Sequence, residues 1–384
     1  MMTVLTRKQQ EDFLSRGFSR RNFGRIATML TAGAALPFSS EPALAQLSRV
    51  DAPPDSVFIN SNENPLGPSG PAREAAKAMV DNGGRYLFSE TMKVRTLLAQ
   101  QEGLPEDHVK IYPGSSNPLT WAVLAFCSPT KPYVVADPGY EAGARAAQFI
   151  GAKTINVPLT KEYTHDVRAM VAASPDAGLI YICNPNNPTG TLTSQEDIAW
   201  LMANKPKGSI VMLDEAYTHI TPTAPFNSAM VKADKDLIIL RTFSKIYGMA
   251  GLRAGAAFGR PDLLAKVDAY CQGNGMLPIT AMAAAYASLK DPNLVPERRK
   301  KIGDVRNDTF SFLDKHNFSF VPSVSNCFMV DVKKPGGQVA AALAKEKVVV
   351  GRVWRSWPNH VRVTVGLPDE MQKFQAAFLK VMSA

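Results

Sequence analysis

The fold of this chain is decided by residues 210–255, which read IVMLDEAYTHITPTAPFNSAMVKADKDLIILRTFSKIYGMAGLRAG. Two nearly continuous apolar runs, Ile210 to Leu213 and Leu237 to Leu240, have the pattern of strands that are buried on both faces of a parallel sheet. Asp214 directly follows the first run, and the segment Thr242-Phe243-Ser244-Lys245 follows the second. Because ligands bind at the carboxyl ends of strands in open α/β sheets, this stretch predicts a functional site at one sheet edge.

The alternation of apolar runs with helical patterns over much of the chain indicates an α/β domain. The other predicted strands of this domain are Tyr133 to Ala136, Leu179 to Cys183 and Ala254 to Phe258, and its predicted helices are Asn117 to Phe126, Ser194 to Ala203 and Ile279 to Leu289. A further helix is predicted at Glu297 to Lys315.

The pattern changes after the break at Asp291-Pro292-Asn293. A charged helix is followed by short apolar runs at Phe318 to Val321, Phe328 to Val332, Val348 to Val350 and Val361 to Val365, which predict a smaller α+β domain. The sequence therefore divides into a leader (1–45), an N-terminal arm (46–70), a large domain (71–290) and a small C-terminal domain (291–384).

The composition indicates an ordered globular protein with a large core. Hydrophobic residues make up 45% of the 384 residues, and the net charge of +9 comes from 43 basic and 34 acidic residues. The basic residues are scattered, so no nucleic-acid partner is expected. The four cysteines, Cys127, Cys183, Cys271 and Cys327, have neither metal-ligand nor C-x-x-C spacing, which predicts buried thiols and no metal site.

The first 45 residues have the three parts of a secretory signal in order. The twin-arginine pattern Ser19-Arg20-Arg21-Asn22-Phe23 precedes an apolar run from Ile26 to Phe38 and the small-residue site Ala43-Leu44-Ala45. This order predicts export to the periplasm by the Tat route, with cleavage after Ala45. The apolar run is too short for a stable membrane anchor. A disordered basic N-terminus with a chance arginine pair is the alternative.

Polar loops beside the predicted strands supply the groups of a cofactor site. The loop Asn184-Pro185-Asn186-Asn187-Pro188-Thr189-Gly190 follows the run Leu179 to Cys183 and so extends the same sheet edge. Gly114-Ser115-Ser116-Asn117 leads into a predicted helix, whose free N–H groups and dipole favour an anion such as phosphate. Arg253 follows Lys245 in a glycine-rich turn. An amine, a carboxylate and phosphate donors are together what pyridoxal 5'-phosphate (PLP) requires of a protein.

Each of these features alone also has a simpler explanation. A lone lysine is usually a solvated surface charge, the loop around Asn187 can be an ordinary turn, and Asp214 or Ser116 can be a helix cap. No G-x-G-x-x-G motif occurs, since Gly273-Asn274-Gly275 lacks the third glycine, and this disfavours a nicotinamide cofactor.

Four motifs follow one another along the chain: Asn-x-x-Pro-x-Gly (62–67), Asp-x-x-Tyr (214–217), Ser-Lys (244–245) and Gly-Leu-Arg (251–253). Together they resemble the motifs of fold-type I PLP enzymes of the class I and II aminotransferase group. The segment Asn62-Glu63-Asn64-Pro65-Leu66-Gly67-Pro68 resembles the N-terminal signature of the histidinol-phosphate aminotransferase branch. The resemblance runs from about Ile59 to the C-terminus. It implies the α/β PLP-transferase fold of type I, with a mainly parallel sheet flanked by helices and a smaller C-terminal α+β domain.

The resemblance also implies a role for each matching residue. Lys245 would form the Schiff base with PLP and shuttle the proton, Asp214 would pair with the ring nitrogen, and Asn187 and Tyr217 would hydrogen-bond the ring's phenolic oxygen. Tyr140 would stack on the ring face. Phosphate contacts are implied for Ser115, Ser116, Thr242, Ser244 and Arg253, and for Tyr86 from the neighbouring subunit of a homodimer.

Three residues are implied on the substrate side. Arg362 matches the arginine that clamps the substrate α-carboxylate in a two-bond fork, and Arg352 keeps a position associated with the substrate side group. Leu66 stands where histidinol-phosphate enzymes commonly have a tyrosine that helps hold the substrate phosphate. We therefore expect an aminotransferase acting on an amino acid and a 2-oxo acid, with histidinol phosphate as a poor donor.

A decarboxylase, lyase or racemase on the same fold is the alternative, because the same cofactor chemistry serves all of these reactions. A non-catalytic binding protein is disfavoured, since Lys245 and Asp214 are both retained.

Overall fold

The computed structural model describes residues 7–19, 22, 24, 26, 52–53, 55–271 and 277–383. Its strands are β1 (Val57–Ile59), β2 (Val109–Tyr112), β3 (Tyr133–Asp137), β4 (Thr154–Pro158), β5 (Leu179–Cys183), β6 (Ile210–Asp214), β7 (Leu237–Thr242), β8 (Gly255–Gly259), β9 (Cys327–Asp331), β10 (Val348–Val350) and β11 (His360–Thr364). Its helices are α1 (Arg7–Ser15), α2 (Gly70–Val80), α3 (Phe88–Glu102), α4 (Ser116–Phe126), α5 (Ala142–Ile150), α6 (Val167–Ala172), α7 (Gln195–Asn204), α8 (Ser228–Lys232), α9 (Pro261–Asp268), α10 (Ile279–Lys290), α11 (Leu294–Lys315), α12 (Gly336–Lys345) and α13 (Pro368–Ser383). Within these ranges, every helix is too short or too polar to traverse a bilayer.

Seven strands form one central sheet in the order β2-β8-β7-β6-β5-β3-β4. The pairs from β4 to β7 are parallel, whereas β8 is antiparallel to both β7 and β2. Every residue of β5, β6 and β7 is buried, as the continuous apolar runs predict. The expected mainly parallel α/β sheet is confirmed, and the three strands that carry the predicted site are neighbours in it.

Helices cover this sheet in packed groups. Helix α4 contacts α5 and α9, while α10 contacts α2 and α3. Ser69 caps the N-terminus of helix α2, because its hydroxyl accepts a hydrogen bond from the backbone N–H of Ala72 at 3.3 Å. A proline lies in the first turn of the helix. Both features are typical of helix N-termini.

The C-terminal part contains two smaller sheets. Strand β9 pairs antiparallel with β11, and β10 pairs parallel with β1, so the arm is tied to the C-terminal part by main-chain hydrogen bonds. The predicted strand at Phe318 to Val321 is wrong, because Phe320 makes only an isolated bridge to Val330. The run ends at Pro322, which has no N–H to continue a ladder.

A buried ion cluster joins the ends of β6 and β7. The Nε of Arg241 lies 2.8 Å from Oε2 of Glu215, and its Nη1 contacts the carboxylate of Glu102 at the end of α3. The guanidinium also lies 4.8 Å from the ring centroids of both Phe226 and Phe258. Because a buried charge is tolerated only when it is paired and hydrogen-bonded, this cluster fixes the two strand ends relative to each other.

We expect Arg241→Met to lower the free energy of unfolding by about 3–5 kcal/mol, because the fully buried carboxylate of Glu215 would lose its cation. Lys77→Met is the matched control, since Lys77 and Glu74 are each 70% exposed and such pairs contribute about 0–1 kcal/mol. Urea unfolding of both variants measures the difference. Equal midpoints for Arg241→Met and the wild type would contradict the assignment.

Candidate active site

The carboxyl ends of β5, β6 and β7 form one edge of the sheet, and a cavity opens there. The register places Cys183 beside Asp214 and Asp214 beside Leu240. The cavity is lined by Ser61, Glu63, Ser115, Ser116, Tyr140, Cys183, Asn187, Asp214, Ala216, Tyr217, Thr242, Ser244, Lys245, Ala250 and Arg253. The structure therefore brings together every predicted cofactor residue except Tyr86.

Asp214 is the buried acid of this cavity. It is 4% exposed, and its two oxygens accept hydrogen bonds from the Tyr181 hydroxyl at 2.8 Å and from the Ala216 N–H at 3.1 Å. Burial raises the pKa of Asp214 to about 6, although these hydrogen bonds and the charge of Lys245 act to lower it. An additional cation beside the carboxylate would therefore stabilise its ionised form.

The amine of Lys245 lies close to Asp214 on the same edge. Lys245 is 9% exposed, and its Nζ lies 5.4 Å from the ring centroid of Tyr217. The Tyr217 hydroxyl in turn accepts a hydrogen bond from Nδ2 of Asn62 at 3.0 Å. This geometry fixes the phenol beside the amine, so both groups can act on one ligand.

A cradle for an anion lies at the N-terminus of α4. Ser115 makes no side-chain capping bond to this helix, and the Ser116 hydroxyl lies 3.2 Å from that of Tyr140. Neither observation supports a purely capping role for the two serines. The free N–H groups and dipole of a helix N-terminus favour a phosphate or another anion at such a position.

Arg253 supplies the positive charge of this cradle. Its Nη1 donates to the Ser244 hydroxyl at 3.3 Å and to the Ala250 carbonyl at 2.9 Å, and its Nη2 donates to the Pro113 carbonyl at 3.2 Å. Gly114 has a φ of +88°, and a Cβ there would lie 2.2 Å from Nη2. Glycine is therefore required for the loop to approach the guanidinium.

Arg362 lies behind Asn187 and is fully buried. Its Nη1 donates to Oδ1 of Asn187 at 2.9 Å, and its Nη2 donates to the Asn60 carbonyl at 2.6 Å. The guanidinium also lies 5.5 Å from the ring of Trp354. Because the amide oxygen of Asn187 is occupied by Arg362, its NH₂ group remains to donate to a ligand in the cavity.

Arg352 also contacts Trp354. Its guanidinium is 4.8 Å from the Trp354 ring, and its Nε donates to Oε2 of Glu141 at 2.8 Å. The Trp354 indole donates to the Gly139 carbonyl at 2.9 Å. The tryptophan therefore connects both predicted substrate arginines to the segment that carries Tyr140.

Four predicted residues are absent from the lining of this cavity: the two arginines just described, Arg362 and Arg352, and also Tyr86 and Leu66. Tyr86 is 72% exposed on the segment before α3. Leu66 lines a separate cavity of about 610 Å³ between the arm, α11 and α13.

Sequence reasoning missed the contributions of Ser61 and Glu63, which bring the arm into the cavity wall, and of Tyr181, which holds Asp214. The signature around Asn62 was the available signal for the arm. Tyr181 lies inside the apolar run of β5, and no sequence signal distinguished it. Among the described residues, no group of three or more His, Cys, Asp or Glu side chains could hold a metal ion.

The cavity fits PLP in its chemistry. A buried carboxylate with a raised pKa suits a protonated ring nitrogen, the amine of Lys245 suits an aldehyde, and the glycine-lined cradle with Arg253 suits a phosphate.

Comparisons with known proteins agree with this chemistry. The sequence model of the family described as aminotransferase class I and II matches residues 54–378. The histidinol-phosphate aminotransferase of Symbiobacterium thermophilum is 36% identical over 331 residues, which cover 84% of this chain and 90% of that protein. The histidinol-phosphate aminotransferase 1 of Nitrosococcus oceani is 34% identical over 346 residues, which cover 88% of this chain and 92% of that protein.

Solved structures show the same fold. The histidinol-phosphate aminotransferase from Sinorhizobium meliloti in complex with pyridoxal-5'-phosphate aligns with a TM-score of 0.80 at 24% identity, covering 91% of this chain and 96% of that chain. The aspartate aminotransferase from Thermus thermophilus with maleate aligns with a TM-score of 0.76 at 18% identity, covering 91% and 97%. The fold is therefore the PLP-transferase fold of type I. This chain belongs to the aminotransferase class I and II family and is a PLP-dependent aminotransferase.

Proposed function

We propose that this aminotransferase takes its amino group from an α-amino acid whose carboxylate is bound by Arg362. The observation that carries the proposal is the buried guanidinium of Arg362, which two neutral acceptors, Asn187 and the Asn60 carbonyl, hold in one orientation. A guanidinium fixed in this way offers a planar fork that matches a carboxylate. Histidinol phosphate has no α-carboxylate, so we expect it to be a poor donor for this enzyme.

The cavity residues divide the chemistry among them. PLP supplies an electron sink for the charge that develops at the substrate Cα. Asp214 would keep the ring nitrogen protonated, because a buried anion and an adjacent cation stabilise each other. Lys245 would provide the amine for covalent attachment of the cofactor, and the same amine could hold or release the proton of the substrate Cα. Tyr217 and Asn187 would donate to the ring oxygen, and Tyr140 would cover the ring face.

The phosphate of the cofactor is assigned to the cradle at the start of α4. Its proposed contacts are Ser115, Ser116, Thr242, Ser244 and Arg253. Burial lowers the pKa of Arg253, so the negative charge of a phosphate there would stabilise the charged guanidinium.

We expect Arg362→Lys to lower kcat/KM for α-amino acid donors by about 30–150-fold, because the ammonium keeps the charge but loses the two-bond fork, worth roughly 2–3 kcal/mol. The measurement is kcat/KM for a panel of amino donors. It is made with the wild type, Arg362→Lys and Leu66→Tyr, and Lys245→Ala is the inactive reference. Histidinol phosphate serves as the donor without a carboxylate, and its rate should change far less in Arg362→Lys. A wild-type preference for histidinol phosphate over every α-amino acid would overturn the proposal.

The raised pKa of Asp214 gives a pH-dependent prediction for the protein without PLP. Its folded pKa of about 6 lies above the ordinary aspartate value of 3.8, so the stability that it contributes is present below pH 3.8 and is lost as the pH rises through 6. Relative to Asp214→Asn, the wild-type free energy of unfolding should therefore fall by roughly 1–1.5 kcal/mol between about pH 5 and about pH 7.5.

Urea unfolding of the PLP-free wild type and Asp214→Asn at the two pH values measures this difference. Asp262→Asn is the control, because this carboxylate is 53% exposed in its pair with Arg260. A constant difference between wild type and Asp214→Asn would show that burial does not perturb Asp214.

We also infer that the enzyme is a homodimer. Support comes from an exposed apolar patch that consists of Val80, Tyr86, Phe88 and Met92, which are 64%, 72%, 58% and 42% exposed. The rings of Tyr86 and Phe88 lie 6.2 Å apart. Exposed apolar residues concentrated in one segment are typical of interaction sites, and two-fold dimers are the commonest assembly. In a dimer, Tyr86, which lies outside its own chain's cavity, can act on the partner subunit's site.

Analytical ultracentrifugation at assay concentration should show a dimer for the wild type and a monomer for Phe88→Asp, because a charge would be buried in the patch. Tyr163→Asp, at a second exposed aromatic residue (37%), should remain dimeric. An active wild-type monomer would refute the homodimer.

We further propose export by the Tat route with cleavage after Ala45. Support is the ordered sequence signal alone, since Arg20, Arg21 and residues 27–45 lie outside the described residues. This route suits a protein that folds around its cofactor first. Changing Arg20 and Arg21 to lysine should leave the precursor in the cytoplasm, as measured by cell fractionation, and its continued appearance in the periplasm would rule out this route.

A further inference from the structure

The segment that precedes the arginine pair is docked on the large domain. Helix α1 and the turn after it place Phe13 and Phe18 in the main hydrophobic core, where they are 3% and 2% exposed. Their rings meet edge to face at 5.2 Å, and Phe13 also meets the ring of Tyr270 at 6.5 Å. By contrast, Leu14 is 49% exposed, so the segment has one buried face and one solvent face.

Arg16 anchors this segment at the C-terminus of α4. Its Nη2 donates to the carbonyls of Leu124, Ala125 and Cys127 at 2.6, 3.0 and 3.0 Å, and its Nη1 donates to the Tyr270 hydroxyl at 3.0 Å. The last carbonyls of a helix have no partner within the helix and carry partial negative charge. A guanidinium that satisfies three carbonyls at this end is therefore both a cap and a charge partner.

Further contacts continue the docking on both sides of the arginine pair. The Thr130 hydroxyl donates to the Arg16 carbonyl at 3.4 Å, and Gly17 has a φ of +83° with Thr130 directly beside it. After the pair, Nδ2 of Asn22 donates to the Ile150 carbonyl at the C-terminus of α5 at 3.4 Å, and Ile26 is 1% exposed. These residues precede position 54, where the family match begins, so the docked segment is an addition to the shared fold.

We propose that the folded large domain binds its own residues 7–18, and that this docking competes with recognition of Arg20-Arg21 by the export receptor. Phe18 and Ile26, which flank the pair, are both buried. A receptor that binds the pair together with its neighbours must therefore displace the segment from the domain. The competition rests on the proposed Tat route, whereas the docking does not.

Limited proteolysis of the full-length precursor tests the docking. Trypsin cleavage after Arg16, followed by intact mass, should be about tenfold faster in Phe13→Ser than in the wild type, because docking lowers the population open to protease. Leu14→Ser is the matched control, and it should cleave at the wild-type rate. Tyr270→Ala removes ring and hydroxyl contacts from the domain side without changing the leader, and it should also accelerate cleavage. Equal rates for Phe13→Ser and Leu14→Ser would overturn the docking.

Pulse-chase export of the same precursors tests the competition. Phe13→Ser and Tyr270→Ala should reach the periplasm faster than the wild type and Leu14→Ser. If proteolysis shows docking but neither variant is exported faster, the competition is wrong. If the wild type is not exported through Arg20-Arg21 at all, the proposed route fails, while the proteolysis result still decides whether residues 7–18 are docked.

Discussion

The buried carboxylate of Asp214 is the constraint on which the rest of the site depends. An anion that is 4% exposed is unfavourable in a protein interior, and burial accordingly raises its pKa to about 6. The hydrogen bonds from Tyr181 and Ala216 orient the carboxylate but bring no full positive charge. The site is therefore built to gain stability from a cationic ligand, which is the property that PLP chemistry needs from this residue.

The neighbouring acid, Glu215, has the opposite environment. It pairs with Arg241, which also contacts Glu102 and the Ser228 hydroxyl. Two consecutive carboxylates at the end of β6 thus have different roles. Asp214 lines the cavity, whereas Glu215 connects the end of β6 to Arg241 of β7. Arg241 immediately precedes Thr242, so the same ion cluster fixes the strand end that carries Thr242, Ser244 and Lys245. The ion pair of Arg241 with Glu215 therefore fixes the backbone at this edge, and Asp214, whose pKa is raised, faces the cavity.

Most of this edge could be predicted from the sequence because its signals are local. Continuous apolar runs predicted β5, β6 and β7, and the polar segments after these runs predicted that Asn187, Asp214 and Lys245 lie at this sheet edge. The missed contributions are tertiary. Tyr181 has no local mark that distinguishes it from a core tyrosine, and the arm residues Ser61 and Glu63 reach the cavity only through the fold.

The failures at strands have a similar cause. The run Phe318 to Val321 has the composition of a strand, but a ladder also requires backbone donors and a partner in register, and Pro322 interrupts it. The strand Thr154–Pro158 was not predicted, because it contains polar residues and a proline. Its pairing with β3, which the local sequence does not reveal, stabilises it.

Helix α4 connects the cofactor site to the N-terminal segment. Its N-terminus contributes Ser115 and Ser116 to the cavity, and its last turn and the residue after it supply the carbonyls that Arg16 binds. A guanidinium complements the helix dipole at the end of the helix, and the start of the helix is where we propose that the cofactor phosphate binds. Both interactions require the helix to be formed and seated against the sheet. Order at the cofactor cradle and docking of residues 7–18 therefore depend on the same packed element.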